Sequence, residues 1–258
     1  MRCKIAVMML LTVLLTQRAA WAASREAVVA GDALAIDSPC ARLVTIDPDP
    51  GLSGKVVISA VADHQEELDR LVFETHGEAQ IGTNDQGCWR PADFSPTLEM
   101  RIRVPAKMKL SIDESGAARY RIGAVGGALT LDLSGAASLQ AEQATGLTVD
   151  LSGAGTVAVG HAEGEAHLDL SGHGRITIAD ANLANVTLDL SGAGQVVVAH
   201  GQIGNAALDT SGFGSVEIGA VVGSATVDIS GAGTVHFAKV TGALSKDVSG
   251  IGAVRVGD

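Results

Sequence analysis

The sequence predicts an all-β protein: a right-handed parallel β-helix of about eight coils of 18–20 residues, behind an irregular β-rich N-terminal region. Three observations lead there. The phrase Asp-x-Ser-Gly recurs from residue 113 to the C-terminus, with serines at Ser115, Ser134, Ser152, Ser171, Ser191, Ser211, Ser230 and Ser249, spaced 19, 18, 19, 20, 20, 19 and 19 residues apart. Apolar residues keep constant offsets from each serine. Glycine is abundant (32 of 258 residues), and no stretch sustains the 3.6-residue period of a packed helix.

The chain opens with an export signal rather than with the fold. Arg2 and Lys4 precede the apolar run Ile5 to Leu15, and Ala20-Trp21-Ala22 has the small-x-small form of a signal peptidase site, so residues 1–22 read as a signal peptide cut after Ala22. The run is shorter than the roughly 20 residues a membrane span needs, and no transmembrane segment is expected after signal removal. Loss of Arg2, Lys4 and Arg18 takes the formal charge from −11 to −14. A chain this acidic is a poor partner for nucleic acid or anionic headgroups. Export makes a disulfide between Cys40 and Cys88 the expected state of those thiols.

Residues 23–39 read as a leader strand or linker, interrupted at Gly31 and Asp32, and residues 40–106 as a β-rich segment joined to the solenoid. Strands are expected at Leu43 to Ile46, Lys55 to Val61, Leu71 to Thr75, Ala79 to Ile81 and Leu98 to Val104, with one helical turn at His64 to Arg70 and a loop around Cys88.

The solenoid occupies residues 107–258. One residue before the serines stand Leu133, Leu151, Leu170, Leu190, Ile229 and Val248, and three before stand Ile112, Leu131, Val149, Leu168, Leu188, Leu208 and Val227. Five after stand Tyr120, Leu139, Val157, Ile176, Val196, Val216, Val235 and Val254; a further apolar column follows at seven after. Alternation with period two makes these strands, two per coil, with Ser-Gly-x-Gly as the corner between them. The corner glycines, Gly153, Gly155, Gly172, Gly174, Gly192, Gly194, Gly231 and Gly233, answer to a sharp turn that needs positive φ or close backbone approach. The residue between them reads as inward-facing, so that His173, Phe213 and Ile251 would force the corner to widen. Charges at inward positions, Glu114 and Lys246, mark the first and last coils, where one face meets water. Thr210 is the internal polar exception, its hydroxyl expected to bond the backbone.

With these motifs and the segment Pro105 to Ile112 in view, the chain resembles the auto-transporter adhesin, head GIN domain family, over roughly residues 40–258. The corners S-G-A-A from Ser115 and S-G-A-G from Ser152, Ser191 and Ser230 carry the resemblance. It departs where the family often has an acidic residue after the second glycine; here Thr156, Arg175, Gln195, Ser215 and Thr234 stand. The resemblance implies a β-helical cell-envelope or secreted protein, periplasmic or at the cell surface, and supplies no catalytic residues.

For function, the column Asp132, Asp150, Asp169, Asp189, Asp209 and Asp228, with Asp113 and Asp247 at its ends, faces outward beside the serines. Carboxylates stacked at about 4.8 Å repel by roughly 1 kcal/mol per pair even in water. The preferred offset is local, hydrogen bonds from serine hydroxyls or corner N–H groups; the second is a row of Ca²⁺ or Mg²⁺ ions bridging successive carboxylates, Ca²⁺ being the cofactor carried forward. His161, expected on a loop, and His167 and His173 do not converge on a metal in this register, and His200 and His236 read as isolated and solvated. No nucleophile elbow or local acid–base cluster appears, and aromatic residues make up 3% of the chain. The reading is a non-enzymatic exported β-solenoid that meets an envelope component, glycan or other surface through repeated Asp and Ser. The alternative is a carbohydrate-active β-helix, lyase-like or hydrolase-like.

Overall fold

The computed structural model describes residues 22–84 and 96–257. The expected signal peptide and Cys88, and with it the Cys40–Cys88 pairing, fall outside the described residues. The rest is a parallel β-solenoid of about eight turns with a β-rich cap at its N-terminal end. Among the described residues no helix is long and apolar enough to cross a membrane.

The repetitive part begins with β8 (Lys109–Glu114) and β9 (Arg119–Ile122), then β10 (Leu129–Leu133) and β11 (Ser138–Leu151). It continues as β12 (Thr156–Leu170), β13 (Arg175–Leu190), β14 (Gln195–Thr210), β15 (Ser215–Ile229), β16 (Thr234–Val240), β17 (Leu244–Val248) and β18 (Ala253–Val256). Like pairs with like: Leu151 lies beside Leu170, Leu170 beside Leu190, and Val157 beside Ile176. All of these are buried, so every added coil extends a continuous apolar ladder that no coil could form alone. Strands β11 to β15 run from one Ser-Gly corner to the next. Within β12 the inward residues are Val157, Val159, Ala162, Ala166, Leu168 and Leu170. The alternation breaks on either side of Ala162, so the coil bends there without leaving the sheet; Gly146 and Gly164, at φ of 85° and 86°, make that bend in two adjacent coils.

The corner itself is a site of close approach. None of its glycines has positive φ. A Cβ on Gly153, Gly172 or Gly192 would lie 1.9–2.0 Å from the carbonyl oxygen of Gly135, Gly153 or Gly172 in the coil beneath. Gly231 would meet Gly212 O at 2.3 Å. A Cβ on the second glycines would meet side chains in three cases, Gly174 and Gly194 at 2.5 Å from Leu151 and Leu170 Cδ2 and Gly233 at 2.4 Å from Thr210 Cγ2, and on Gly155 the backbone Ala137 O at 2.7 Å.

The second glycine is therefore the inward residue, and the residue before it points out. Phe213 is 81% and Ile251 89% exposed, and His173 is exposed too, so the corner does not widen around them. A one-residue difference in phase at a turn reverses which side chain meets the core.

The stack also begins earlier than residue 107. Strands β2 (Ala33–Asp37) and β3 (Leu43–Pro48) form a coil of their own, paired in parallel with β8 and β9 so that Asp37 lies beside Asp113 and Val44 beside Tyr120. Its corner contains no glycine; Ser38 and Cys40 take positive φ, at 34° and 57°. On its far side lie β6 (Ala79–Thr83) and β7 (Glu99–Val104), again parallel. Antiparallel strands β1 (Ala23–Ala30), β4 (Lys55–Ala62) and β5 (Leu71–Thr75) and the short helix α1 (Gln65–Asp69) complete the cap. Residues 23–39 are thus strand and coil rather than linker.

This earlier coil explains Glu114, which is 1% exposed and not at an end of the stack. Its carboxylate accepts from the Tyr120 hydroxyl at 2.6 Å and the Gly116 N–H at 2.8 Å, and burial raises its pKa above the ordinary value. Lys246 does lie on an exposed final coil. Thr210 is fully buried, and its hydroxyl finds no hydrogen-bond partner, contrary to the expected backbone bond. In the cap, buried Glu67 accepts from Thr97 N, Thr97 Oγ1 and Leu98 N at 2.7–3.1 Å, fastening α1 to the segment that leads into β7.

Candidate functional site

The flat face that precedes each corner carries the most regular chemistry of the molecule. Because each strand alternates inward leucine with an outward residue, Asp113, Asp132, Asp150, Asp169, Asp189, Asp209, Asp228 and Asp247 all point to solvent in one file. Asp37 extends the file by one rung through β2. The box serines run beside it. A third column, two residues upstream, supplies Ser111, Thr130, Thr148, Thr187 and Thr226, interrupted by His167 and Ala207. The carboxylates and serines of the central coils line a shallow furrow of about 710 Å³.

The expected hydrogen-bond offset is absent. Among the described residues no serine hydroxyl or corner N–H donates to a carboxylate of this file; corner N–H groups are spent on carbonyls, as His173 N on Gly153 O at 3.1 Å and Ser171 N on Leu151 O at 3.2 Å. Among the described residues only the first box serine meets a side chain, where Ser115 N donates to Ser38 Oγ at 3.1 Å and the two hydroxyls lie 3.1 Å apart. The repulsion is consequently uncompensated. Partial burial, then the charges of Asp150 and Asp189, raise the Asp169 pKa; partial burial, then Asp132 and Asp37, raise that of Asp113. No group of three or more His, Cys, Asp or Glu side chains able to hold a metal occurs among the described residues.

His161, expected on a loop, is on β12. Its Nδ1 meets Asp180 Oδ2 at 2.9 Å and its Nε2 meets Glu163 Oε1 at 3.0 Å. With a carboxylate at each nitrogen the imidazolium is favoured, and the pKa is raised chiefly by the Glu163 bond and further by Asp180. His236 is tied to the last coil, donating from Nε2 to Gly257 O at 3.0 Å. Sequence reading also missed a ladder along the far bend, where Asn185 donates to Glu165, Asn205 to Asn185, and Ser224 to Asn205, at 2.7–3.1 Å. The signal was there: asparagines recur 20 residues apart, one coil, at a position that is otherwise small or acidic.

A second kind of surface lies on the other side of the corner, where the exposed corner residues border the column Thr156, Arg175, Gln195, Ser215 and Thr234. Near the cap, guanidiniums on neighbouring strands are already paired: Arg101 with Asp47 at 2.7 Å, Arg103 with Asp49 at 3.0 Å, and Arg42 with Glu99.

Comparison with known proteins follows the same lines. A family model described as "Putative auto-transporter adhesin, head GIN domain" matches residues 49–199 and 148–257. A search of curated proteins finds no match. Among solved structures, a putative adhesin from Parabacteroides distasonis superposes with a TM-score of 0.67 at 16% identity, covering 92% of this chain and 97% of that one. A putative adhesin from Bacteroides fragilis gives 0.64 at 12% identity, with coverage of 92% and 97%. A protein from Parabacteroides distasonis titled as a putative lipid binding protein gives 0.58 at 15%, again covering 92% and 97%. At these identities the likeness is one of fold.

Proposed function

We propose, since the chain belongs to the auto-transporter adhesin, head GIN domain family, that it is an exported, non-enzymatic β-solenoid that holds to a cell-envelope or other surface through its repeated Asp and Ser columns. The observation that carries this reading is the uncompensated carboxylate file. Like charges stacked in every coil cost stability, and no hydrogen bond within the described residues offsets them. A feature that is repeated at a cost to the folded state fits a task outside it. The mechanism is multivalent: each rung contributes a weak contact, and a rigid spacing lets successive contacts add without a fresh loss of freedom. The uniformity of the columns favours binding over catalysis, which needs one local break in the pattern with an acid and a base converging.

The test is retention of purified, labelled mature protein on intact bacteria, on envelope fractions and on epithelial surfaces, at increasing ionic strength. The proposal expects saturable retention on at least one surface that weakens as salt rises. Absence of retention on all of them overturns it. Turnover of a polysaccharide with release of reducing ends or unsaturated sugars would replace it with the carbohydrate-active reading.

A further inference from the structure

The bulky residues at the outward corner position recur in every second coil. The position holds Ala154, His173, Ala193, Phe213, Ala232 and Ile251 in successive coils, with alanine between each bulky pair. Register places like positions one strand spacing apart, so each of His173, Phe213 and Ile251 stands about 9.5 Å from the next along the rod, twice the inter-strand distance. Between His173 and Phe213, over Ala193-Gly194, lies a recess of about 410 Å³ whose walls also include Arg175, Gln195 and Ser215.

Phe213 is 81% exposed because its neighbours in the column are alanines that leave its ring uncovered. Contact between carbon atoms is best at about 3.5–4.0 Å, so a slot of this width admits one ring in contact with both walls and excludes two. The phenyl face is the negative pole of its quadrupole and attracts the C–H groups on the face of a saturated ring. One edge of the slot is polar, bordered by Thr156, Arg175, Gln195 and Ser215. Arg175 makes no ion pair among the described residues. An occupant with an apolar ring face and a hydroxyl-bearing rim meets all of these groups at once. A lipid surface does not: the carboxylate file beside the corner repels anionic headgroups, and two slot walls separated by alanine do not form a continuous apolar patch.

We infer that the Phe213 corner is a saccharide-binding subsite, in which a pyranose ring stacks on Phe213 above Ala193 while Arg175, Gln195 and Ser215 bond its hydroxyls. The inference rests on the adhesive reading and gives it a ligand class. The alternation of bulky and small residues further implies an oligosaccharide lying along the rod.

The test uses the mature protein with neutral β-linked tetrasaccharides of hexose and of N-acetylhexosamine, titrated while Phe ring resonances are followed by NMR. The expected result is a selective shift of the Phe213 ring, and a loss of about thirtyfold in affinity for Phe213→Ala, as for a stacked aromatic anchor. Phe213→Tyr retains binding. Ala193→Leu, which fills the floor and leaves Phe213 intact, abolishes it. Thermal stability changes little in all three, since both positions are exposed. Saturation by no tetrasaccharide, or equal binding by Phe213→Ala, overturns the inference, as does Phe213-dependent binding to phosphatidylglycerol vesicles in place of saccharide. The surface-retention assay run alongside separates the two failures: retention without saccharide binding sinks only this inference, whereas loss of retention sinks the adhesive reading as well.

Discussion

Thr210→Val removes a hydroxyl from the middle of the leucine column and gives the account of the core its sharpest test. Thr210 lies between Leu190 and Ile229 in register and is fully buried. Its Oγ1 has no hydrogen-bond partner. A buried, unsatisfied donor costs about 1–3 kcal/mol, whereas replacing it by a methyl of similar shape leaves the ladder's packing in place. The substitution therefore raises stability by about 1–3 kcal/mol. For a chain of this size each kcal/mol moves Tm by about 2–4 °C, so a rise of roughly 2–12 °C is expected. Leucine is accommodated as well, because the residue packed above is Gly233, just as Gly214 lies above Leu190, where a Cβ would come within 2.5 Å of Leu190 Cδ2. Calorimetry and urea titration of the wild type and both variants supply the comparison. An unchanged or lower Tm for Thr210→Val, with an unaltered urea slope, refutes the reasoning, since it means that the hydroxyl is bonded in solution.

Further outcomes follow from the same ladders. Gly172→Ala sets a Cβ 2.0 Å from Gly153 O and must push two coils apart, which destabilises by about 3 kcal/mol or more and is read as a fall in the urea midpoint. Tyr120→Phe leaves the buried Glu114 carboxylate without its 2.6 Å donor and costs about 1–3 kcal/mol, recovered in part by Glu114→Leu in the same chain. Stability should climb as pH falls from 8 toward 4. His161 has a raised folded pKa, so its contribution is complete below 6.5 and lost as pH rises through the folded value. Asp113, Asp169 and Glu114 are raised as well; their protonated forms are favoured in the fold, and that contribution is complete below the ordinary 3.8 and 4.5 and lost as pH rises through the folded values. A Tm that falls steadily between pH 7 and pH 5 contradicts this sign.

The regular coils were legible because burial, spacing and side-chain identity repeat together: leucine, valine and isoleucine at constant offsets state the period and the inward face. The coil formed by β2 and β3 was not, for a physical reason. Its box reads Asp37-Ser38-Pro39-Cys40, with the turn made by non-glycine residues at positive φ, and the chain between it and β8 is spent on the cap. Glu114 was misjudged in consequence, since only the covering coil and the Tyr120 hydroxyl make its burial intelligible. The corner was misread by one residue: alanine is compatible with either side of a wall, and the phase is set by backbone approach between coils, which single-chain spacing does not contain. Correcting that phase turns Phe213 outward and gives the surface its one exposed aromatic ring among the described residues. The carboxylate file was legible as a column, whereas its lack of internal partners required the corner's hydrogen bonds to be traced.

The central claim is that the outer file acts by many equivalent weak contacts. Retention on the responsive surface should be measured for Asp169→Asn, for Asp150→Asn with Asp169→Asn, and for those two with Asp189→Asn, each checked for folding by its melting curve. Because the three residues are exposed and mutually repelling, the variants should melt no lower than the wild type, while retention falls by a similar factor at each step. Retention untouched by all three substitutions, or abolished by the first alone, contradicts a multivalent Asp face.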